Sequence, residues 1–153
     1  MCLNLLVYDY DRSVSVYNVD MKSLKSYVAI LLAFLVIDGV WLGIIMKDFY
    51  MSALAPVVRE NFIAWPLVLF YFAYALAVLF VAVRPFAATS VKKSAVQGAW
   101  LGFAGYMTFE LVNYGLVDGW PLVPVFVDIV WGIVLTATIS YIGALVYKFE
   151  TKN

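Results

Sequence analysis

Four long stretches of the chain are almost entirely apolar, and the polar residues are concentrated between them. They cover approximately residues 27–46, 62–83, 95–117 and 123–147. Each has about 20 residues or more, enough for a helix to cross the roughly 30 Å hydrocarbon core of a bilayer. The apolar residues surround each segment rather than forming one stripe, as in helices that face lipid. Backbone groups in lipid must bond within their own segment, so the pattern predicts an all-α, polytopic membrane protein with a four-transmembrane-helix bundle.

The segments at the two ends of the chain differ from this core. Residues 1–20 carry Asp9, Asp11, Arg12 and Asp20 among Tyr and Val, without a sustained period. Met21 opens a basic stretch followed by an apolar run, which is typical of the start of a membrane protein. We therefore expect a flexible tail at 1–24, either an extension upstream of a natural start at Met21 or a cytoplasmic tail. The transmembrane domain is predicted at 25–148 and a C-terminal tail at 149–153. A secretory signal peptide is the alternative for the first span, but its length and Asp38 favour an uncleaved anchor.

Lysine and arginine predict the orientation of the bundle. Two of these residues, Lys47 and Arg59, lie in the first loop, and the third loop has none. The tails and the second loop hold the other eight, namely Arg12, Lys22, Lys25, Arg84, Lys92, Lys93, Lys148 and Lys152. Because loops rich in these residues stay on the cytoplasmic side, both termini are expected in the cytoplasm. Tyr50, Trp65 and Trp120 are then expected as interfacial aromatic residues on the outer side.

Composition narrows the chemistry. The chain is 65% hydrophobic and 13% charged, with a formal net charge of zero, which gives no basic footprint for nucleic acid. It has no histidine, which excludes His-ligated metal sites and Ser-His or Cys-His catalysis. Its one cysteine, Cys2, cannot form an internal disulfide. We therefore expect no cofactor, no metal site and no nucleic-acid partner, with the lipid bilayer as the surroundings.

Three acids and one asparagine lie inside the predicted spans, where lipid would penalise them. These are Asp38 in the first span, Glu110 and Asn113 in the third, and Asp128 in the fourth. A carboxylate at the bilayer centre costs at least ~2.5–3.5 kcal/mol, so such residues face the bundle interior and mark function. No Lys or Arg lies within a span to neutralise the three acids, which predicts that at least one is protonated or holds a cation.

The positions of these residues predict a shared pocket in the outer half of the bundle. The loop 118–122 is so short that the third and fourth spans must form a hairpin, with Asn113 and Asp128 at nearly equal depth. Aromatic residues recur near the acids at helical spacing. The predicted ligand-binding set is Asp38, Trp41, Tyr71, Tyr74, Tyr106, Glu110, Asn113, Asp128 and Trp131, with Asp38, Glu110 and Asp128 as catalytic candidates. Gly98 and Gly102 predict close helix packing, including a homo-oligomer contact through the third span.

Several motifs resemble one known family. They are Ile37-Asp-Gly-Val-Trp-Leu-Gly43, Gly119-Trp-Pro121 and Val127-Asp-Ile-Val-Trp-Gly132. Together with the tyrosines between them they resemble a bacterial family of predicted membrane proteins, domain of unknown function 2177, over about residues 25–147. The resemblance implies a four-helix domain in a bacterial inner membrane and names no reaction. Where the family pattern has Tyr-Asp-Leu-Thr-Asn, this chain has Phe109-Glu-Leu-Val-Asn113, which keeps the acid and amide but loses two hydroxyls.

Three functions remain open from the sequence. In the first, the acidic and aromatic pocket binds a small ligand or relays protons or cations. In the second, the protein is an intramembrane enzyme acting on a lipid or isoprenoid by carboxyl acid–base chemistry, with a carboxylate-only magnesium or manganese site as a variant. In the third, it is a structural or accessory subunit of a membrane complex. Phosphate loops, dinucleotide fingerprints and nucleophile elbows are missing from the sequence, so nucleotide-driven chemistry is not expected.

Overall fold

The computed structural model describes residues 20–59, 61 and 63–152, and this part of the chain is all-helical. The helices are α1 (Met21–Val40), α2 (Lys47–Ala53), α3 (Trp65–Ala77), α4 (Val91–Leu116) and α5 (Leu122–Lys152). α1 continues in a π-helical segment, Trp41–Ile45, and α3 continues in another, Val78–Val83. The all-α prediction is therefore confirmed for the described residues. Most of the predicted N-terminal tail, residues 1–19, lies outside them.

Three helical segments in the described part are long and apolar enough to cross a membrane. They are Met21–Ile45, Trp65–Val83 and Leu122–Thr151, and they coincide with the first, second and fourth predicted spans. The third predicted span corresponds to α4, which has 26 residues. Gln97, Glu110 and Asn113, with several glycines and tyrosines, lower the mean hydropathy of α4 below that of the other three. Of these polar and small residues, Gly98, Gly102 and Glu110 are buried.

The helix ends differ from the sequence-based boundaries. α1 begins at Met21, before the predicted position 27, because the Asp20 side chain caps it by accepting a hydrogen bond from the Ser23 backbone N–H at 2.9 Å. α3 begins at Trp65 rather than at position 62, with Pro66 in its first turn. At the other end of the chain, α5 runs to Lys152, so most of the predicted C-terminal tail is helical.

The described chain begins and ends at the same end of the bundle. Lys25 Nζ of α1 lies 2.7 Å from Glu150 Oε2 of α5, and Ser26 Oγ donates to the Gly143 carbonyl at 2.8 Å. α1 and α5 are therefore antiparallel neighbours. We call this end of the bundle the terminal end and the opposite end, where α2 lies, the cavity end.

One face of α1 carries the residues that it buries. They follow each other at three- and four-residue steps, as a single stripe of a helix requires, and are Ser23, Ser26, Ile30, Phe34 and Asp38. Phe34 has no exposed surface and packs edge-on against Tyr71 of α3, with ring centroids 4.7 Å apart. Large apolar side chains on the other faces, such as Leu32 and Val36, are exposed. This distribution suits helices whose outer faces contact lipid.

α4 and α5 form a tight antiparallel hairpin. A Cβ on Gly98 would lie 2.2 Å from Ser140 Oγ, and one on Gly102 would lie 2.1 Å from the Gly132 carbonyl oxygen. The glycine stripe is therefore buried within one chain, where it lets two backbones approach closely. The close packing expected of Gly98 and Gly102 is thus made with α5, and a homo-oligomer through the third span stays a prediction.

A short turn joins these two helices, as the sequence predicted. α4 ends at Leu116 and α5 begins at Leu122, and Gly119 between them has φ +79°. Only glycine adopts this backbone region without strain. The turn lies against the segment that follows α2, since a Cβ on Gly119 would lie 3.9 Å from side-chain atoms of Pro56 and Val57.

A pair of glycine substitutions in α4 tests the hairpin packing. Gly102→Ala should lower the free energy of unfolding by about 1–3 kcal/mol, because the added methyl group must push α4 away from the Gly132 carbonyl. Gly115→Ala is the matched control, since nothing lies within 4 Å of its Cβ position. Thermal unfolding in detergent should show a lower midpoint for the first variant alone. Equal midpoints would contradict the packing described.

Candidate functional site

A cavity of about 540 Å³ lies among α1, α3, α4 and α5 near the cavity end of the bundle. Most of its wall is apolar. Seven of the nine residues in the predicted ligand-binding set line it, namely Asp38, Tyr71, Tyr74, Tyr106, Glu110, Asp128 and Trp131. The three acids predicted to converge from separate helices thus face the same space.

Asp38 connects three helices. It is 4% exposed, and its two carboxylate oxygens accept different hydrogen bonds. The Tyr71 hydroxyl of α3 donates to Oδ2 at 2.7 Å, and the Trp131 indole N–H of α5 donates to Oδ1 at 2.9 Å. A buried carboxylate from α1 is therefore satisfied by one donor from each neighbouring helix.

Trp41 lies behind Trp131 rather than in the cavity wall. Their rings stack with centroids 4.1 Å apart and planes within 7° of parallel. This contact holds the Trp131 indole in the orientation in which its N–H reaches Asp38. Trp41 begins the π-helical segment that ends α1, a feature often found near functional positions.

Asp128 receives a donor that the sequence analysis did not assign to the site. The Tyr50 hydroxyl of α2 donates to Asp128 Oδ1 and accepts a hydrogen bond from the Trp41 indole N–H at 3.4 Å. Burial raises the pKa of Tyr50, and the adjacent Asp128 and Glu110 raise this pKa further. Tyr50 therefore stays protonated at neutral pH and acts as a donor.

Glu110 also has an aromatic donor from outside the predicted set. Glu110 is 2% exposed, and its Oε2 accepts a hydrogen bond from the Trp120 indole N–H at 3.0 Å. Trp120 follows Gly119 in the α4–α5 turn, so the backbone of that turn positions the indole above the end of α4. The carboxyl groups of Glu110 and Asp128 are direct neighbours across the hairpin.

The sequence analysis missed the roles of Tyr50 and Trp120 as hydrogen-bond donors to the acids. Both were assigned to the interfacial belt, whereas each donates a hydrogen bond to a buried acid. The available signal was the absence of Lys, Arg and His from the spans. Buried carboxylates without cationic partners need neutral donors, and tyrosine and tryptophan near the helix ends can supply them.

Asn113 does not reach the cavity. Its side-chain N–H donates to the Phe109 carbonyl of the same helix at 2.9 Å. The predicted meeting of Asn113 with Asp128 is therefore not found. Glu110, nearly one turn earlier in α4, takes that place opposite Asp128.

Two tyrosines form the side of the cavity nearer the terminal end. The Tyr74 hydroxyl lies 2.9 Å from Thr136 Oγ1 of α5, which gives this partly buried phenol a partner. The Tyr106 ring packs over Gly132, where an added Cβ would lie 2.2 Å from the ring. Between these residues and the terminal end of the bundle, α4 and α5 pack closely against each other.

The acids are held without ion pairs from the described part of the chain. Its two salt bridges, Lys22–Asp20 and Lys25–Glu150, both lie at the terminal end. The described residues also contain no group of three acids or cysteines placed to hold a metal ion. The magnesium or manganese variant considered from the sequence therefore lacks a ligand set in this region.

α3 and α4 separate toward the cavity end. Contact between them is made mainly by Val78–Val83, at the terminal end, whereas Trp65–Ala77 packs on α1. The residues that line the cavity on either side of the gap are exposed: Leu67 is 44% exposed on α3 and Phe109 is 58% exposed on α4. The rim of the cavity therefore lies on the lateral surface of the bundle, where other apolar side chains face outward.

Comparison with known proteins gives one match. The model of a family described as predicted membrane protein (DUF2177) matches residues 23–145, which is most of the chain and confirms the resemblance noted from its motifs. No curated protein matches the chain. No solved structure matches it either.

Replacing one acid by its amide tests the network around Asp38. Asp38→Asn should lower the free energy of unfolding by about 1–3 kcal/mol, because one of the two donors would then face an amide N–H instead of an oxygen. Asp118→Asn removes the same charge from an exposed position in the α4–α5 turn and should have no comparable effect. Unfolding monitored by near-ultraviolet circular dichroism would compare them. Equal stability of the two variants would contradict this network.

Proposed function

The chain belongs to the DUF2177 family of predicted membrane proteins, and we propose that this member binds an amphipathic small molecule that enters its acidic cavity from the bilayer. One observation supports this proposal above the others. Carboxyl groups from three helices face a cavity of about 540 Å³ whose rim lies between lipid-facing residues of α3 and α4.

The proposed topology has four membrane spans, with both termini in the cytoplasm of a bacterial cell and the cavity in the outer half of the inner membrane. Two observations support α4 as the fourth span. It packs antiparallel on α5, and the first and last described residues lie at the same end of the bundle. If α1, α3 and α5 cross the bilayer, α4 must cross it too for those two ends to meet. The distribution of Lys and Arg supports the orientation.

The size and lining of the cavity favour a ligand with two chemical parts. Small-molecule sites commonly enclose about 300–1,000 Å³ and combine apolar walls with a few placed polar groups. Here the polar groups are concentrated on one side, at Asp38, Glu110 and Asp128, whereas Leu67 and Phe109 flank the opening. A polar head group would lie at the acids, and an apolar chain would leave through the gap into lipid.

The other functions considered from the sequence stay predictions. Adjacency of Glu110 and Asp128 favours the intramembrane enzyme as a second candidate, because two neighbouring carboxyl groups can share a proton and deliver it to a bound lipid or isoprenoid. A proton or cation relay, a homo-oligomer and an accessory role each await a direct measurement.

Filling part of the cavity tests the proposed binding without changing any acid. Gly105 of α4 lines the cavity, and a Cβ there would approach only Tyr74, at 3.8 Å. Gly105→Leu should therefore fold normally but occupy space that the ligand needs. In nanodiscs, an amphiphile with a brominated alkyl chain should quench the tryptophan fluorescence of the wild type, and the variant should show quenching reduced about tenfold at equal concentration.

The matched control for this experiment is Gly115→Leu in the same helix, where nothing lies within 4 Å of the added Cβ. It should retain wild-type quenching. The proposal is wrong if Gly105→Leu and the wild type are quenched equally by the brominated chain.

A further inference from the structure

The three acids differ in the hydrogen bonds that they accept. Asp38 accepts a bond on each of its oxygens, from Tyr71 and Trp131, so its acceptor positions facing the protein are occupied. Glu110 and Asp128 each accept one bond, on Oε2 and Oδ1 respectively. Their carboxyl groups also lie beside each other, close enough to share a hydrogen bond.

Both of these neighbouring carboxyl groups line the cavity. Glu110 is almost fully buried, at 2% exposed. Burying a charged carboxyl group carries a large desolvation cost, and a second carboxyl beside it adds charge repulsion. A positively charged donor placed between Glu110 and Asp128 would offset both costs.

The other residues of the cavity favour an organic cation over a metal ion. A hard metal ion such as magnesium or calcium needs about six oxygen ligands, and the described residues contain no group of three acids or cysteines placed to hold one. The surrounding wall instead presents the aromatic rings of Phe70, Tyr106 and Trp131. Rings of this kind stabilise an organic ammonium group through cation–π attraction.

The apolar rim extends this argument to the body of the ligand. Leu67 and Phe109 line the cavity on either side of the gap between α3 and α4, and each is more than 40% exposed. An alkyl or isoprenoid chain attached to the ammonium group would contact these side chains and continue into lipid. A small hydrophilic amine would leave that surface uncovered.

We infer that the ligand is a lipophilic cation, a single-chain amphiphile with an ammonium head group bound between Glu110 and Asp128 and ringed by aromatic side chains. This inference rests on the proposed function and assigns its head-group position. Asp38, with both oxygens already bonded within the bundle, positions Trp131 and Tyr71 and does not bind the cation.

A ligand series on the wild-type protein tests the charge preference. Purified full-length chain in nanodiscs would be titrated with an alkyltrimethylammonium, an alkyl alcohol and an alkyl sulfate of equal chain length. Tryptophan fluorescence would report binding, and empty nanodiscs would correct for partitioning into lipid. We expect the ammonium compound to bind about tenfold to a hundredfold more tightly than the alcohol, because it gains a charge-assisted contact. The sulfate should bind most weakly.

Two variants test the position of the head group. Glu110→Gln and Asp128→Asn should each reduce the preference for ammonium over alcohol to within about threefold, while their carbonyl oxygens can still accept from Trp120 and Tyr50. Asp118→Asn, in the exposed turn, removes an equal charge and should leave the preference unchanged. An undiminished preference in both cavity variants would overturn the assigned position.

The outcomes separate this inference from the proposed function. Equal binding of the ammonium and the alcohol by the wild type would overturn the cationic head group and leave amphiphile binding intact. Binding of all three compounds no greater than in empty nanodiscs would overturn both. Because the wild-type series needs no substitution, the inference stays falsifiable even if a cavity variant fails to fold.

Discussion

The arrangement of the bundle depends on how a buried carboxylate from α1 is satisfied. Asp38 accepts hydrogen bonds from Tyr71 of α3 and Trp131 of α5, and this one side chain therefore fixes three helices relative to one another. In lipid there is little hydrophobic driving force between helices, so packing and polar contacts of this type carry much of the specificity. The stacked Trp41 extends the contact to the end of α1.

The helices pack differently at the two ends of the bundle. At the terminal end, small residues let backbones approach closely, as where Gly102 meets Gly132. At the cavity end the helices diverge, and large aromatic side chains bridge the space by donating N–H and O–H groups to acids. The polar network and the cavity thus have one cause, since acids and bulky aromatic donors together keep these helices apart. Function, in our proposal, uses the space that this network maintains.

The sequence predicted the helical class and the convergence of three acids because both follow from the cost of polar groups in lipid. It did not predict the roles of Tyr50 and Trp120, since donor geometry depends on how the loops fold back over the helix ends. Gly102 shows the same limit: a glycine stripe indicates close packing without saying whether the partner is another copy or the same chain. Asn113 lies about one turn from Glu110, and only the rotation of α4 decides which of them faces α5.

The most direct test of this account is a double-mutant cycle between Asp38 and Trp131. Trp131→Phe keeps an aromatic ring against Trp41 but removes the N–H, and Asp38→Asn weakens the acceptor. Unfolding free energies of the two single variants and the double variant should reveal a coupling of about 1 kcal/mol or more. Strictly additive effects would show that the carboxylate does not hold these helices together and would contradict the account.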